Sequence, residues 1–185
     1  MESDGRQYID TGVVPKDNTI IEYDFEPLSI TATYFYCGCF GDNDIQGKMY
    51  LYNAGNDIES LQYGFGTGSS IEYTNWKNSP YRISLSKHTA VMMKSTLTLD
   101  GTEIVSGLSS SMENNTLTFW IGKCNDIKAR KSDSSKIYNV KITDNSQLIR
   151  NLIPVLDPEG TPAMLDTVEN KLYYNQGSGQ FKYAK

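Results

Sequence analysis

The chain has 185 residues, with 22 Asp and Glu against 17 Lys and Arg, a formal net charge of -5 and an apolar share of 38%. That length suits one domain able to bury a core, and its cations are scattered rather than gathered in a stripe, so a phosphate backbone is excluded as partner. No apolar run approaches the roughly 18 residues of a membrane span, and no basic-then-apolar leader opens the chain, so neither membrane insertion nor a self-carried export signal is expected.

The apolar supply leans on 13 Tyr, 6 Phe and β-branched residues, which fit pleated sheets, while 15 Gly and 6 Pro supply turns. In chain order, Tyr8 to Gly12 reads as a short strand closed by glycine. Thr19 to Glu26 alternates, with Ile21, Tyr23 and Phe25 on one face and Glu22, Asp24 and Glu26 on the other, a half-buried and peripheral strand ended by Pro27. Thr33 to Gly41 is aromatic and cysteine-rich and leads into Asp42-Asn43-Asp44. Lys48 to Asn53, Leu61 to Phe65, Ser70 to Trp76, Tyr81 to Leu85, His88 to Met93 and Thr96 to Leu99 continue a meander. Asp100-Gly101, between Leu99 and Ile104, is the strongest hairpin signal. Further on, Leu117, Phe119 and Ile121 alternate with Thr118, Trp120 and Gly122, which directs Trp120 away from the apolar stripe. Asn125 to Ser135 is the most polar long loop. Two strands joined at Asp144-Asn145 follow, then extended pieces through Phe181 punctuated by Pro and Gly. About a dozen short strands at this spacing predict a single all-β domain over 1–185, a two-sheet antiparallel β-sandwich.

Three constellations carry chemistry. Glu22-x-Asp24-x-Glu26 has the residue types of a retaining glycosidase strand, but that chemistry wants carboxyls about 5 Å apart. Positions i and i+4 of a strand lie roughly 13 Å apart, so both glutamates would have to lean inward; a solvated charged face that discourages edge pairing is the plainer reading. Trp76, with Asn75 beside it, and Trp120 are the ligand-binding candidates, since a planar ring flanked by amides suits a pyranose, although tryptophan is also a core residue. Asp42, Asn43 and Asp44 offer hard oxygen ligands for Ca²⁺ and are equally good turn formers; no other cofactor is expected.

Other features are weaker. Gly64, Gly66 and Gly68 lack the helix of a nucleotide loop. Cys37, Cys39 and Cys124 read as small buried thiols, with a bridge from Cys37 or Cys39 to Cys124 as the alternative in an oxidising compartment. His88 has no evident nucleophile at hand and reads as a surface or hairpin residue. Tyr34, Tyr36, Tyr73, Tyr173 and Tyr174 are core or interface residues, or an adhesive tyrosine patch. Asn114-Asn115-Thr116 is a formal glycosylation sequon.

With Tyr8-Ile9-Asp10-Thr11-Gly12 at one end and Lys136 to Ile142, Leu148 to Val155 and Met164 to Phe181 at the other, the chain resembles the laminin-G-like, concanavalin-A-like jelly-roll domains of bacteriophage tail and virion proteins and gut-bacterial surface proteins. The match covers both ends and follows the middle by strand rhythm alone. In that family a further strand usually precedes the equivalent of Glu2 to Gly5, so Met1 is expected to mark either a cut boundary or a natural start without it. The resemblance implies a jelly roll with adjacent terminal strands and a role in adhesion or virion structure, and it carries over no binding residues. The reading is a non-enzymatic binding or structural module, extracellular or on a virion surface, contacting glycans or neighbouring subunits and compatible with an oligomer. The alternative is a β-glucanase-like hydrolase using Glu22, Asp24 and Glu26.

Overall fold

The computed structural model describes residues 1–30, 33–41, 47–54, 61–67, 72–73, 83–94, 96–108, 110–126, 132 and 134–183, with backbone alone at 33, 34, 54, 67, 72 and 73. Among the described residues there is no helix, and the strands form two sheets. The larger runs in the order β10 (Thr102–Val105), β9 (Leu97–Leu99), β8 (His88–Met92), β3 (Thr19–Pro27), β13 (Ser135–Asp144), β14 (Gln147–Leu156), β15 (Pro162–Asp166) and β16 (Lys171–Tyr174), with β1 (Glu2–Ser3) also on β13. The smaller runs β2 (Ile9–Asp10), β11 (Trp120–Ile121), β4 (Thr33–Phe40), β5 (Gly47–Ala54), β6 (Leu61–Thr67) and β7 (Glu72–Tyr73), with β12 (Cys124–Asp126) also on β4. The pairings between named strands are antiparallel except β12 with β4. The chain is an all-β, two-sheet sandwich.

Alternation decides which side chains enter the core. Ile21, Tyr23 and Phe25 of β3 are fully buried and meet Tyr36, Cys37, Cys39, Met49, Leu51, Tyr63 and Phe65 of the smaller sheet in one cluster. Phe25 and Tyr36 touch across the gap at 5.0 Å between ring centroids, and Tyr63 donates its hydroxyl to the Met93 carbonyl at 2.6 Å. Full burial of each such aromatic side chain contributes on the order of 2–3 kcal/mol.

Two of the register shifts among the described strands reset this alternation in the core. In β4 the register slips between Phe35 and Cys37, so Tyr36 is an extra residue: Tyr36 and Cys37 both join the main core, while Phe35 and Phe40 share the outer face. In β13 the slip lies between Ile137 and Asn139, so Tyr138 is the extra residue. Ile137 and Val140 are then both buried although three positions apart.

Turn chemistry follows the sequence. Asp100 and Gly101 take positive φ (51° and 78°) between β9 and β10 as a type I′ hairpin requires, and Asn145 and Ser146 (47° and 66°) do the same between β13 and β14. The last stretch does lie beside Tyr8 to Gly12, since Gln176 donates its backbone N–H to the Tyr8 carbonyl and Tyr8 donates its own to Asn175 Oδ1 at 3.1 Å.

Two expectations are corrected. Ile83 to Leu85, the described part of the strand expected over Tyr81 to Leu85, is not a strand: Ile83 is buried but Ser84 to Lys87 form an exposed bend. β3 is not peripheral, since it lies between β8 and β13.

Candidate functional site

The interior place of β3 settles what its acidic face touches. Glu22 lies opposite Lys141 and Glu26 opposite Lys136, and each carboxylate accepts from its lysine at 2.6 Å. Glu26 also accepts from the Tyr138 hydroxyl at 2.5 Å, and these bonds, Lys136 first and Tyr138 second, hold its carboxyl below the usual range. Asp24 accepts from Thr89 Oγ1 at 2.6 Å and pairs with Lys87 at 3.4 Å. Lys87 in turn sits over the Tyr138 ring. The outer face of the larger sheet is therefore a ladder of cross-strand ion pairs, in which each of the three carboxylates has its own cation. The lysines were hidden from sequence reading because 136 and 141 differ by an odd number, and only the bulge at Tyr138 turns them to one face.

The outer face of the smaller sheet has a different character. Phe119 and Ile121 are buried and Trp120 points the other way, as alternation predicts. Trp120 pairs in register with Asp10 and stacks on the ring of Tyr8, centroids 4.0 Å apart and planes 15° from parallel. Both rings are half-buried. Thr118 organises them: its hydroxyl donates to Asp10 Oδ2 at 3.1 Å and accepts from Trp120 Nε1 and Asn125 Nδ2, each at 3.2 Å. Asn125 also donates to the Thr118 carbonyl, and Asp10 Oδ1 accepts from the Gly12 N–H. Those bonds use all of the hydroxyl's capacity and hold the indole in one orientation.

Lys123 lies 5.8 Å from the Tyr8 ring centroid and has no carboxylate partner among the described residues, among which the Tyr8 hydroxyl makes no hydrogen bond. Burial first, and the Asp10 charge second, raise the phenol's pKa, so it stays a neutral donor and acceptor.

On the other side of Trp120, its register partner on β4 is Gly38, whose φ of +134° and 2.5 Å approach of a would-be Cβ to the Met49 carbonyl admit no other residue. Next to it Phe35, Tyr50 and Cys124 form a second, smaller apolar cluster, flanked by Phe40 and Tyr52. Tyr50 lies flat against Gly64, where an added Cβ would fall 2.3 Å from its ring. Lys48 Nζ sits 4.8 Å from the Phe40 centroid. Aromatic rings, bare glycine backbone and cations thus share this face.

The remaining expectations divide between those resolved and those outside view. Trp76, Asn75, Asp42, Asn43 and Asp44 all lie outside the described residues; among the described residues no cluster of three His, Cys, Asp or Glu forms a metal site. Cys37, Cys39 and Cys124 are buried free thiols, with no bridge; burial pushes Cys39 up to about 12 and Cys37 higher still. His88 is not on the surface, being 7% exposed. Of the five tyrosines, Tyr36 is in the core, the Tyr173 hydroxyl donates to Glu169 and that of Tyr174 to Asp157, and the side chains of Tyr34 and Tyr73 are outside the description. Sequence reading found Trp120 but missed Tyr8, Asp10 and Thr118, since the β2 to β11 pairing joins residues 110 positions apart. With this geometry in hand, comparison with known proteins adds no relative: no family model matches the chain, and neither does any curated protein.

Proposed function

We propose that the chain is a lectin-like binding module of jelly-roll type, on a virion appendage or cell surface, that contacts glycans through the outer face of its smaller sheet. One observation carries the reading: the Tyr8 and Trp120 stack, locked by Thr118, stands half-exposed beside a phenol and an ammonium that have no hydrogen-bond or carboxylate partner among the described residues. A pyranose needs an apolar ring face to lie on and fixed donors and acceptors for its hydroxyls, and a preformed platform spares the entropy of ordering side chains on binding. Lys123 favours sugars that carry an acidic group. Individually weak sites of this kind gain strength from repetition on an assembly.

The hydrolase alternative loses support from the ion-pair ladder, because Glu22 and Glu26 are each held by a lysine 2.6 Å away. A second reading, contact with neighbouring subunits, is favoured by Leu148, Leu156, Val168 and Tyr174, exposed on or beside the C-terminal hairpins; a monomer at all concentrations by light scattering would count against it. The glycan reading is tested on an array probed with a multivalent form of the chain, where binding above background is expected, with acidic sugars preferred. Absence of any binder at matched valency would overturn it.

A further inference from the structure

We infer that Ser84, His88 and Asp100 form a nucleophile, general base and orienting carboxylate able to hydrolyse small carboxylic esters, at a site separate from the aromatic face. Asp100 sits at the tip of the β9 to β10 hairpin, where its backbone N–H donates to the Thr89 carbonyl and its Oδ1 accepts from the Thr89 N–H at 2.8 Å. This fixes Oδ2 at 2.7 Å from His88 Nδ1. A carboxylate can only accept there, so Nδ1 carries a proton, and the Ser84 N–H directed at Nε2 marks that atom as the acceptor of the neutral ring. The Ser84 hydroxyl is 3.0 Å from Nε2, and the Ser84 backbone N–H donates to the same atom at 3.3 Å. The imidazole is buried while Ser84, Leu85 and Ser86 are exposed, so a protected base faces an accessible nucleophile.

These are the contacts that activation of a serine requires: nucleophile to base, and base to orienting acid, each within hydrogen-bond reach. The Ser84 carbonyl, 3.2 Å from Nε2, is placed to accept once that nitrogen is protonated, so the imidazolium finds an acceptor on both sides. As Ser84 Oγ bonds to the ester carbon, its proton passes to Nε2 and the carbonyl π pair moves to oxygen. The Ser86 hydroxyl, 2.7 Å from Ser84 Oγ, is near enough to donate to that oxyanion. Collapse breaks the ester C–O bond, and the leaving alkoxide takes the proton from Nε2. Water then repeats the sequence on the acyl-serine, releasing the acid and restoring the hydroxyl. An open bend, with Leu85 57% exposed beside the nucleophile, suits short acyl groups rather than long chains.

The test is labelling with a fluorophosphonate probe, located by peptide mass spectrometry, alongside hydrolysis of p-nitrophenyl acetate. The expected result is one adduct on Ser84, none in Ser84→Ala, and a fall of about 100-fold in labelling and hydrolysis rates in His88→Gln. Should the buried ring prove necessary for folding, Asp100→Asn, at a turn position where Asn also tolerates positive φ, keeps the ring and is expected to slow both rates by tenfold or more. No adduct at millimolar probe, an adduct that persists in Ser84→Ala, or Ser84 labelling at an unchanged rate in a folded His88→Gln or Asp100→Asn protein would each overturn the proposal.

Discussion

The two outer faces of this sandwich solve the same problem in opposite ways. On the larger sheet, Glu22, Asp24 and Glu26 are matched to Lys141, Lys87 and Lys136, so charge is cancelled side chain by side chain. On the smaller sheet, Tyr8, Trp120, Phe35, Phe40, Tyr50 and Tyr52 are laid against each other and against glycine backbone. A face whose groups are paired internally has little left to offer a ligand. Phe35 and Tyr50 are buried among these rings, whereas the stacked pair Tyr8 and Trp120 stays half-exposed and keeps a ring surface in water, which is why the proposed function is assigned to that pair.

The comparison breaks most severely at the glycine under the rings. Gly38→Ala must force a side chain into a φ of +134° and against the Met49 carbonyl, so a loss of about 3 kcal/mol or more is expected by urea denaturation. Gly64→Ala meets the ring of Tyr50, which can shift, and should cost less. Phe25→Ala, in the core between the faces, is expected to cost about 3–5 kcal/mol, the amount typical of a buried phenylalanine. Equal losses from Gly38→Ala and Gly64→Ala would contradict the assignment of Gly38 as a backbone requirement.

Glu26 of the charged face and two loop carboxylates outside it, Asp17 and Asp4, respond to acid. Glu26 is held below its ordinary pKa by Lys136 and Tyr138; Asp17 ends below its own because Lys94 and the Met112 N–H outweigh its burial; and Arg6 holds Asp4 down to about 2. A carboxyl whose folded pKa is depressed contributes stability in full above its unfolded value and loses it as pH falls through the folded one. The melting temperature should therefore stay level from neutral pH to about 5 and fall below about 4, near the unfolded carboxylate values. Glu26→Gln should make that fall shallower, and a profile identical to the parent's would contradict the assignment.

The smallest effect belongs to Lys141→Ala. Its side chain and that of Glu22 are 46% and 36% exposed, so water and salt screen the pair and the loss should stay under about 1 kcal/mol.

Much of the scaffold could be read from residue order. The face of β3, the Asp100-Gly101 turn and the outward aim of Trp120 follow from period-two alternation and from residues that tolerate positive φ. What escaped depended on chain-distant pairing or on bulges. The single extra residue at Tyr138 brings Lys136 and Lys141 to one side, and the one at Tyr36 puts Phe35 and Phe40 on one face. Neither leaves a local signature. Tyr8 and Trp120 meet only because β2 pairs with β11, and Ser84 escaped because its segment was read as a strand, whereas the bend there folds its hydroxyl back onto His88.

The central claim is that ligand contact belongs to the aromatic face and not to the charged one. The most direct measurement compares glycan binding of Trp120→Ala with that of Lys141→Ala at equal valency, after thermal melts confirm both are folded. Trp120→Ala removes a stacked, half-buried ring and its Nε1–H bond to Thr118, at a stability cost on the order of 2–3 kcal/mol. It is expected to abolish binding, while Lys141→Ala binds as the parent does. Binding that survives loss of Trp120, or that fails with loss of Lys141, would contradict the account.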